Sequence, residues 1–380
     1  MNMKNQSKIL ALVSIIAAAA LSVAQNGNTI KFPTKSDKPN FQAGIWDVGL
    51  GYVAGQPTED ALRKLAQEGV KTVICFRGDD EMNDRTVVSF DEATLLKELG
   101  INYVHIPLGS ISDYSPSKVE EFAKALDKVD GKVLIHCTVG WRASMMWTSY
   151  LHQYQKQSLD DAIKAGEAMN LGASRIGALL GINIAYSEVP AKSGSRSPKP
   201  LKNSTKGIRS LTAPKVLIPE SKSDYMAFLA WDLGDVINAS QPNEAQLRDF
   251  AAKGIKTVIN IRAPQEMDQV KSTTGFDEEV VAKSLGLEYV NIPMPGAAAF
   301  NPANLALIGD AINNAKGKVL LHCFTATRTS TIWPAYLVKY QGLSLDEAIK
   351  HGEAMRFSSP LHLLLGKDIT YKVKARTTGK

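Results

Sequence analysis

The strongest constraint on how this chain folds is that it repeats itself. Gly131-Lys132-Val133-Leu134-Ile135-His136-Cys137 returns as Gly317-Lys318-Val319-Leu320-Leu321-His322-Cys323, 186 residues on. Leu159-Asp160-Asp161-Ala162-Ile163-Lys164 and Leu345-Asp346-Glu347-Ala348-Ile349-Lys350 share that offset, and each runs on into Gly-Glu-Ala-Met. Upstream, an offset of 185 relates Gln56-Pro57 to Gln241-Pro242, Trp46-Asp47 to Trp231-Asp232, and Gly69–Ile74 to Gly254–Ile259. A duplicated domain explains all of this. The length agrees, since 380 residues exceed one ordinary core and suit two domains of roughly 150 residues each.

Each copy alternates strands and helices. Leu62, Leu65 and Ala66 recur at helical spacing after Gln-Pro, and the β-branched stretch Thr72 to Phe76 reads as a strand. A helix over Asp91 to Leu99, a strand Tyr103 to Ile106, and a helix after Pro116 carrying Val119, Phe122, Ala123 and Leu126 follow. The apolar run Lys132 to Ile135 then reads as a buried strand. This order predicts an α/β fold with a mostly parallel central sheet flanked by helices, in which ligands gather at the carboxyl ends of the strands. Both Cys137 and Cys323 fall at such an end.

The composition, 44% hydrophobic and 22% charged, excludes a disordered chain and a membrane bundle. At the start, Lys4 and Lys8 precede an uncharged apolar run, Ile9 to Ala24, that ends in Ser22-Val23-Ala24. That is the layout of a secretory signal peptide, so residues 1–24 are expected to be removed and the protein to be periplasmic or secreted, with no membrane insertion afterwards. The net charge of +6 is located rather than general: between Ala191 and Lys215 stand seven Lys or Arg and no Asp or Glu. This segment reads as a solvated tether, contact with anionic surfaces being the alternative, and no nucleic-acid partner is expected. The expected organisation is an N-terminal segment 25–39, a first domain 40–187, a basic Ser/Pro/Lys-rich linker 188–223, a second domain 224–372 and a tail 373–380.

The chemistry sits in His136-Cys137-Thr138-Val139-Gly140-Trp141-Arg142, between the buried strand and a helix expected from about Ala143. A loop curled at a helix N-terminus turns backbone N–H groups inward and forms a nest for a tetrahedral anion. The same N–H groups, the helix dipole and a nearby arginine stabilise a thiolate, and Arg142 supplies a planar fork for two oxygens. Gly140 permits a left-handed turn. The second copy reads His322-Cys323-Phe324-Thr325-Ala326-Thr327-Arg328, with Ala326 where the first has Gly140.

This strand-His-Cys-loop-Arg-helix arrangement resembles the dual-specificity and tyrosine-phosphatase superfamily. It is most similar to the beta-lactamase-hydrolase-like family with its phosphatase-like domain, whose loop also has four residues between Cys and Arg. Ile106-Pro107, and Arg77 with Glu81, add to the likeness, which covers residues 40–187 and 224–372. The resemblance implies a cysteinyl-phosphate mechanism needing no metal or organic cofactor, on a phosphorylated or other small oxyanion substrate. It also implies a general acid in the loop after the Ile-Pro strand, where Asp113 is the candidate; a helix-cap role is the alternative, and the aligned residue of the second copy is Ala299. Gly140 and Asp113 favour the first copy as the catalyst. The second has Thr329 after its arginine, where phosphatases usually keep a hydroxyl, while the first has Ala143. A four-residue loop is also what rhodanese-type sulfurtransferases use, so persulfide handling stands as an alternative, as does a non-catalytic phospho-ligand module.

Cys75 ends a strand beside the Cys137 loop, which leaves two readings open: a reversible Cys75–Cys137 disulfide, or a buried free thiol. His136 and His322 are expected to orient their loops, and with six His and no paired-ligand spacing no metal site is expected. Arg77 with Glu81, and Arg262 with Glu266, are expected to form structural ion pairs, while Trp46-Asp47 and Trp231-Asp232 read as core and turn.

Overall fold

The computed structural model describes residues 24–25, 28–85, 88–169, 175–189, 210–218, 228–295, 297–357 and 361–374. The expected signal peptide lies outside the described residues except for Ala24, as does most of the basic linker and all but two residues of the tail. Strands β1 (Ala24–Gln25) and β2 (Asn28–Thr29) form a small antiparallel ribbon.

The first repeat then runs β3 (Thr34–Ser36), β4 (Ile45–Asp47), β5 (Gly51–Ala54), α1 (Glu59–Gln67), β6 (Val70–Cys75), α2 (Asp79–Asn83), α3 (Glu92–Glu98), β7 (Asn102–His105), α4 (Pro116–Leu126), β8 (Lys132–His136), α5 (Trp141–Gln153), α6 (Leu159–Glu167), α7 (Ile176–Leu180) and β9 (Asn183–Glu188). Its sheet has the order β3-β4-β5-β8-β6-β7. The last four strands are parallel, while β3 and β4 add antiparallel pairings at the edge. The parallel centre is covered on both sides, which is why β6 and β8 are continuous rather than alternating hydrophobic runs. On one face Ile74, Phe76, Val133 and Ile135 pack against α4 and α5; on the other Val73 and Leu134 meet Leu62 and Leu65 of α1 and Leu95 and Leu96 of α3. Helix starts follow their caps: the Thr58 and Asp91 side chains accept from Ala61 N and Thr94 N.

The second repeat copies this order: β10 (Leu211–Ile218), β11 (Ala230–Gly234), β12 (Val236–Ala239), α8 (Glu244–Ala252), β13 (Ile255–Asn260), α9 (Pro264–Thr274), α10 (Glu278–Ser284), β14 (Glu288–Asn291), α11 (Pro302–Asn314), β15 (Lys318–His322), α12 (Thr327–Tyr336), α13 (Leu345–Glu353), α14 (Leu361–Leu365) and β16 (Ile369–Lys374). Its sheet order, β10-β11-β12-β15-β13-β14, matches the first. Two boundaries expected from the sequence are corrected. Residues 211–218, assigned to the linker, form the edge strand β10 on β11, and β3 draws residues 34–36 of the N-terminal segment into the first sheet. β3 is a short edge strand and β10 a longer, exposed and bulged one, and neither alternates apolar and polar residues clearly enough to be read as sheet. Trp46 and Trp231 are buried, and Asp47 and Asp232 accept from Gly49 N and Gly234 N, so these pairs serve as core and turn.

The repeats are joined by exchange. β9, ending the first, pairs antiparallel with β16, ending the second, with Tyr186 opposite Tyr371. Tyr186 N and Oη reach Asp346 and Glu353 of α13, while Tyr371 N and Oη reach Asp160 and Glu167 of α6. Each repeat therefore lays its last strand on the other's helix, and one hydrophobic cluster runs through both.

Candidate active site

Each loop stands where a central parallel strand gives way to a buried helix. Cys137 follows β8, is 1% exposed, and its N–H donates to the Ala54 carbonyl at 3.3 Å. The Thr138 carbonyl accepts from Gln56 N at 2.8 Å, and Val139 bridges to Gly55, pinning the loop to the chain leaving β5. Gly140 caps α5 with φ +81°, and a Cβ there would meet the Trp46 ring at 3.1 Å. The helix starts at Trp141, two residues before the position expected from its apolar pattern, so Arg142 lies in its first turn. In the second copy Ala326 takes the same left-handed conformation, φ +61°, before α12. Thr325 and Thr327 share a hydroxyl contact at 3.0 Å, and Phe324 is partly exposed.

Arg142 is 2% exposed and held by a carboxylate. Its Nη1 and Nη2 donate to Glu81 at 2.6 and 2.9 Å; Nη1 also reaches the Leu108 carbonyl, and Nη2 the Thr138 hydroxyl oxygen. Thr138 Oγ1 and Gly78 N donate to the same carboxylate. Burial pushes the Glu81 carboxyl up, but the Arg142 charge and hydrogen bonds, with Arg77 and Gly78, hold it down at about 2. Burial likewise opposes the Arg142 charge, and Glu81 and Cys137 together raise its pKa well above the ordinary value. Arg328 repeats the arrangement on Glu266 at 2.6 and 2.9 Å, with the Met294 carbonyl in place of Leu108. Burial works against the Arg328 charge, and the Glu266 hydrogen bonds, with the electrostatic attraction of Cys323 and Glu266, outweigh it. The Arg77–Glu81 pair expected from the sequence is present but longer, 3.5 Å, so the carboxylate serves the loop arginine first.

A chain of buried polar groups continues from this pair. Arg77 Nη1 donates to Gln56 Oε1 at 2.9 Å, Gln56 Nε2 to Glu92 at 2.7 Å, and His136 Nε2 to Glu92 at 2.8 Å. Burial disfavours charge on both Glu92 and His136; each overcomes this for the other, lowering the acid and raising the base. Sequence reasoning missed Glu92 and the part played by Gln56. A signal existed, because Phe90-Asp91-Glu92 recurs as Phe276-Asp277-Glu278 at the 186-residue offset.

Cys75, Glu92 and His136 place ligand-capable atoms within 4.8 Å of one another, a grouping that spacing along the chain did not reveal. The second copy closes the same knot without sulfur, Asn260 donating to Glu278 while His322 lies 2.9 Å from it. The side chains of Val73 and Cys75 follow one face of β6, Ile74 and Phe76 the other, and Cys137 belongs to the cluster of the latter. Cys75 is thus turned toward Glu92 and Met82, with Sγ 3.8 Å from Met82 Sδ, and no disulfide joins it to Cys137. All three cysteines are free and buried. Asp113 ends a 3-10 turn, Ile111–Asp113, and accepts from Ser110 N at 2.7 Å, a capping bond in the loop whose Leu108 carbonyl holds Arg142. Ala299 ends the equivalent turn. Thr329 Oγ1 lies 3.9 Å from Cys323 Sγ, a contact Ala143 cannot make.

A Cys-x4-Arg loop after the central strand of a parallel sheet, its arginine braced by a carboxylate, defines the class as protein-tyrosine and dual-specificity phosphatase-like, twice in one chain. Residues 50–178 match the family described as DSP-PTPase phosphatase fused to NAD+ kinase, and residues 226–337 match the phosphatase-like domain of the beta-lactamase hydrolase-like proteins. The chain carries two domains of this superfamily. Two curated beta-lactamase hydrolase-like proteins of Xylella fastidiosa, from strains Temecula1 and 9a5c, are each 27% identical over 133 residues, 35% of this chain and 29% of theirs. The match therefore spans less than a third of those relatives' length. Among solved structures, a DUF442 protein of Shewanella putrefaciens CN-32 is 28% identical, covering 33% of this chain and 78% of its own, with a TM-score of 0.28. TpbA of P. aeruginosa is 20% identical, covering 35% and 80%, with a TM-score of 0.27.

Proposed function

We propose that this protein is an exported cysteine-dependent phosphatase for phosphate esters, with the first domain as the better catalyst. The observation that carries the reading is the pairing, in both copies, of a buried strand-end cysteine with an arginine locked on a buried carboxylate. The Cys137 sulfur attacks phosphorus and the ester P–O bond breaks. Asp113 gives its proton to the leaving alkoxide, and the loop N–H groups hold the phosphoryl oxygens with the Arg142 charge beside them. Water, losing a proton to Asp113, then displaces the sulfur and frees phosphate. The tether of Leu108 to Arg142 supports this role for Asp113, since it fixes the acid loop against the anion site. Export rests on the N-terminal residues and is checked by sequencing the mature N-terminus.

Turnover of a chromogenic aryl phosphate by wild type, Cys137→Ser and Cys323→Ser tests the assignment. The expected result is activity lost in Cys137→Ser and largely kept in Cys323→Ser. Thiocyanate release from thiosulfate and cyanide, with no aryl phosphatase activity, would instead establish sulfur transfer at the four-residue loops. Oxyanion binding without turnover of either kind would leave a recognition module.

A further inference from the structure

We infer that Arg77, and Arg262 at the matching place in the second copy, contact the bound oxyanion, so that each loop carries a second guanidinium. The inference rests on the oxyanion-binding reading of the loops and names the chemistry they select. Register brings Arg77 to the loop: Cys75 lies opposite His136, and Phe76 N donates to the His136 carbonyl, so the chain leaving β6 runs beside Cys137 and Thr138.

Its side chain is 1% exposed, and only Nη1 has a hydrogen-bond acceptor, Gln56 Oε1; Nε and Nη2 have none among the described residues. The Gln56 that holds Nη1 also donates its backbone N–H to the Thr138 carbonyl. The Glu81 oxygen that Nη2 faces at 3.5 Å is the one to which Thr138 Oγ1 and Arg142 Nη2 donate. The guanidinium therefore lies in the shell of the loop on both sides.

Arg142 has both terminal nitrogens engaged by Glu81 and by Leu108 or Thr138, whereas Arg77 holds two buried N–H directions in reserve. Unsatisfied donors of a buried charge are costly unless a ligand completes them. The second copy keeps part of the pattern, with Arg262 Nη2 donating to the Glu266 carbonyl at 3.3 Å. Arg262 Nη1 donates to Gln241 Oε1 at 2.7 Å, Nε lacks an acceptor, and the guanidinium stands 4.7 Å over the ring of Phe324, the residue after Cys323. In each copy two guanidiniums face one carboxylate. The surplus positive charge suits a tetrahedral dianion, as a phosphate monoester is, over a singly charged diester.

Tungstate, a tetrahedral dianion, titrated calorimetrically into the full chain tests this with Arg77→Met, Arg77→Lys and Arg262→Met. Loss of a charge-assisted hydrogen bond weakens binding about ten- to hundredfold, and this loss is expected at one site in each Met variant. Arg77→Lys keeps a cation beside Glu81, and so the fold, but not the Nε–Nη2 fork; it decides the matter should Arg77→Met melt early. Lys and Met variants that bind tungstate as wild type does would overturn the inference alone. No tungstate binding by wild type would overturn the oxyanion reading of the loops as well.

Discussion

Replacing Glu81 by Gln tests the brace on which the first loop depends. The carboxylate receives two bonds from Arg142, one from Thr138 and one from Gly78, and its side chain is 10% exposed. Holding it at about 2 instead of 4.5 corresponds to about 3 kcal/mol of stability with Glu81 ionised. Removing one partner of a buried pair, which strands Arg142 and Arg77 without a counter-charge, costs about 3–5 kcal/mol. For a domain of this size that is a melting temperature lower by about 10 °C. The sign follows from the depressed value: the contribution is complete above about pH 4.5 and drains away as pH falls toward 2. Differential scanning calorimetry from pH 7 to pH 3 measures both effects, and Glu81→Gln is expected to flatten the acid limb. Glu266→Gln is the internal control, because its carboxylate is 30% exposed and better screened, so it costs less. A Glu81→Gln protein with wild-type melting and an unchanged acid limb, or equal losses in the two copies, would refute the brace.

Deleting residues 369–374 removes the Tyr371 contacts to Asp160 and Glu167, so hydrogen exchange is expected to rise in α6 of the first repeat; a rise confined to the second repeat would contradict the exchange of strands. Ala326→Gly, at φ +61°, trades left-handed strain of roughly 1–2 kcal/mol against the added freedom of glycine in the unfolded chain, roughly 0.4–1 kcal/mol. Denaturant titration is expected to show a gain of up to about 1.6 kcal/mol, and a loss would count against the strained turn. His136, raised by Glu92 against the effect of burial, contributes stability present below about pH 6.5 and lost as pH rises through its higher folded value. Glu92→Gln should remove that alkaline dependence in thermal melts, and an unchanged alkaline limb would show that the pair is not ionised.

The repeat, the α/β order and the two loops were legible because each rests on local signals: apolar runs of strand length, helical spacing, and a short chemical motif at a strand end. Glu92 and Gln56 were not, because their meaning arises only when β6, β8 and α3 come together, and a buried glutamate looks in sequence like any surface helix residue. The two readings of Cys75 stayed open in the sequence for a related reason, and the free, buried thiol is the one the structure matches. Strand order brings it near Cys137, but the two-residue period of β6 points it through the sheet to Glu92. The edge strands β3 and β10 escaped because an exposed edge needs no apolar pattern.

The exchange of last strands gives the duplication a physical meaning. Tyr186 on α13 and Tyr371 on α6 make each repeat's final helices incomplete without the other, so the pair behaves as a twofold dimer tied into one chain. Such an arrangement lets the copies diverge without separating. Arg175 shows what the second copy does for the first: its guanidinium stacks 5.8 Å over Tyr114, beside Asp113, and donates to the Met355 carbonyl across the interface. The second repeat thereby steadies the loop that carries Asp113 in the first.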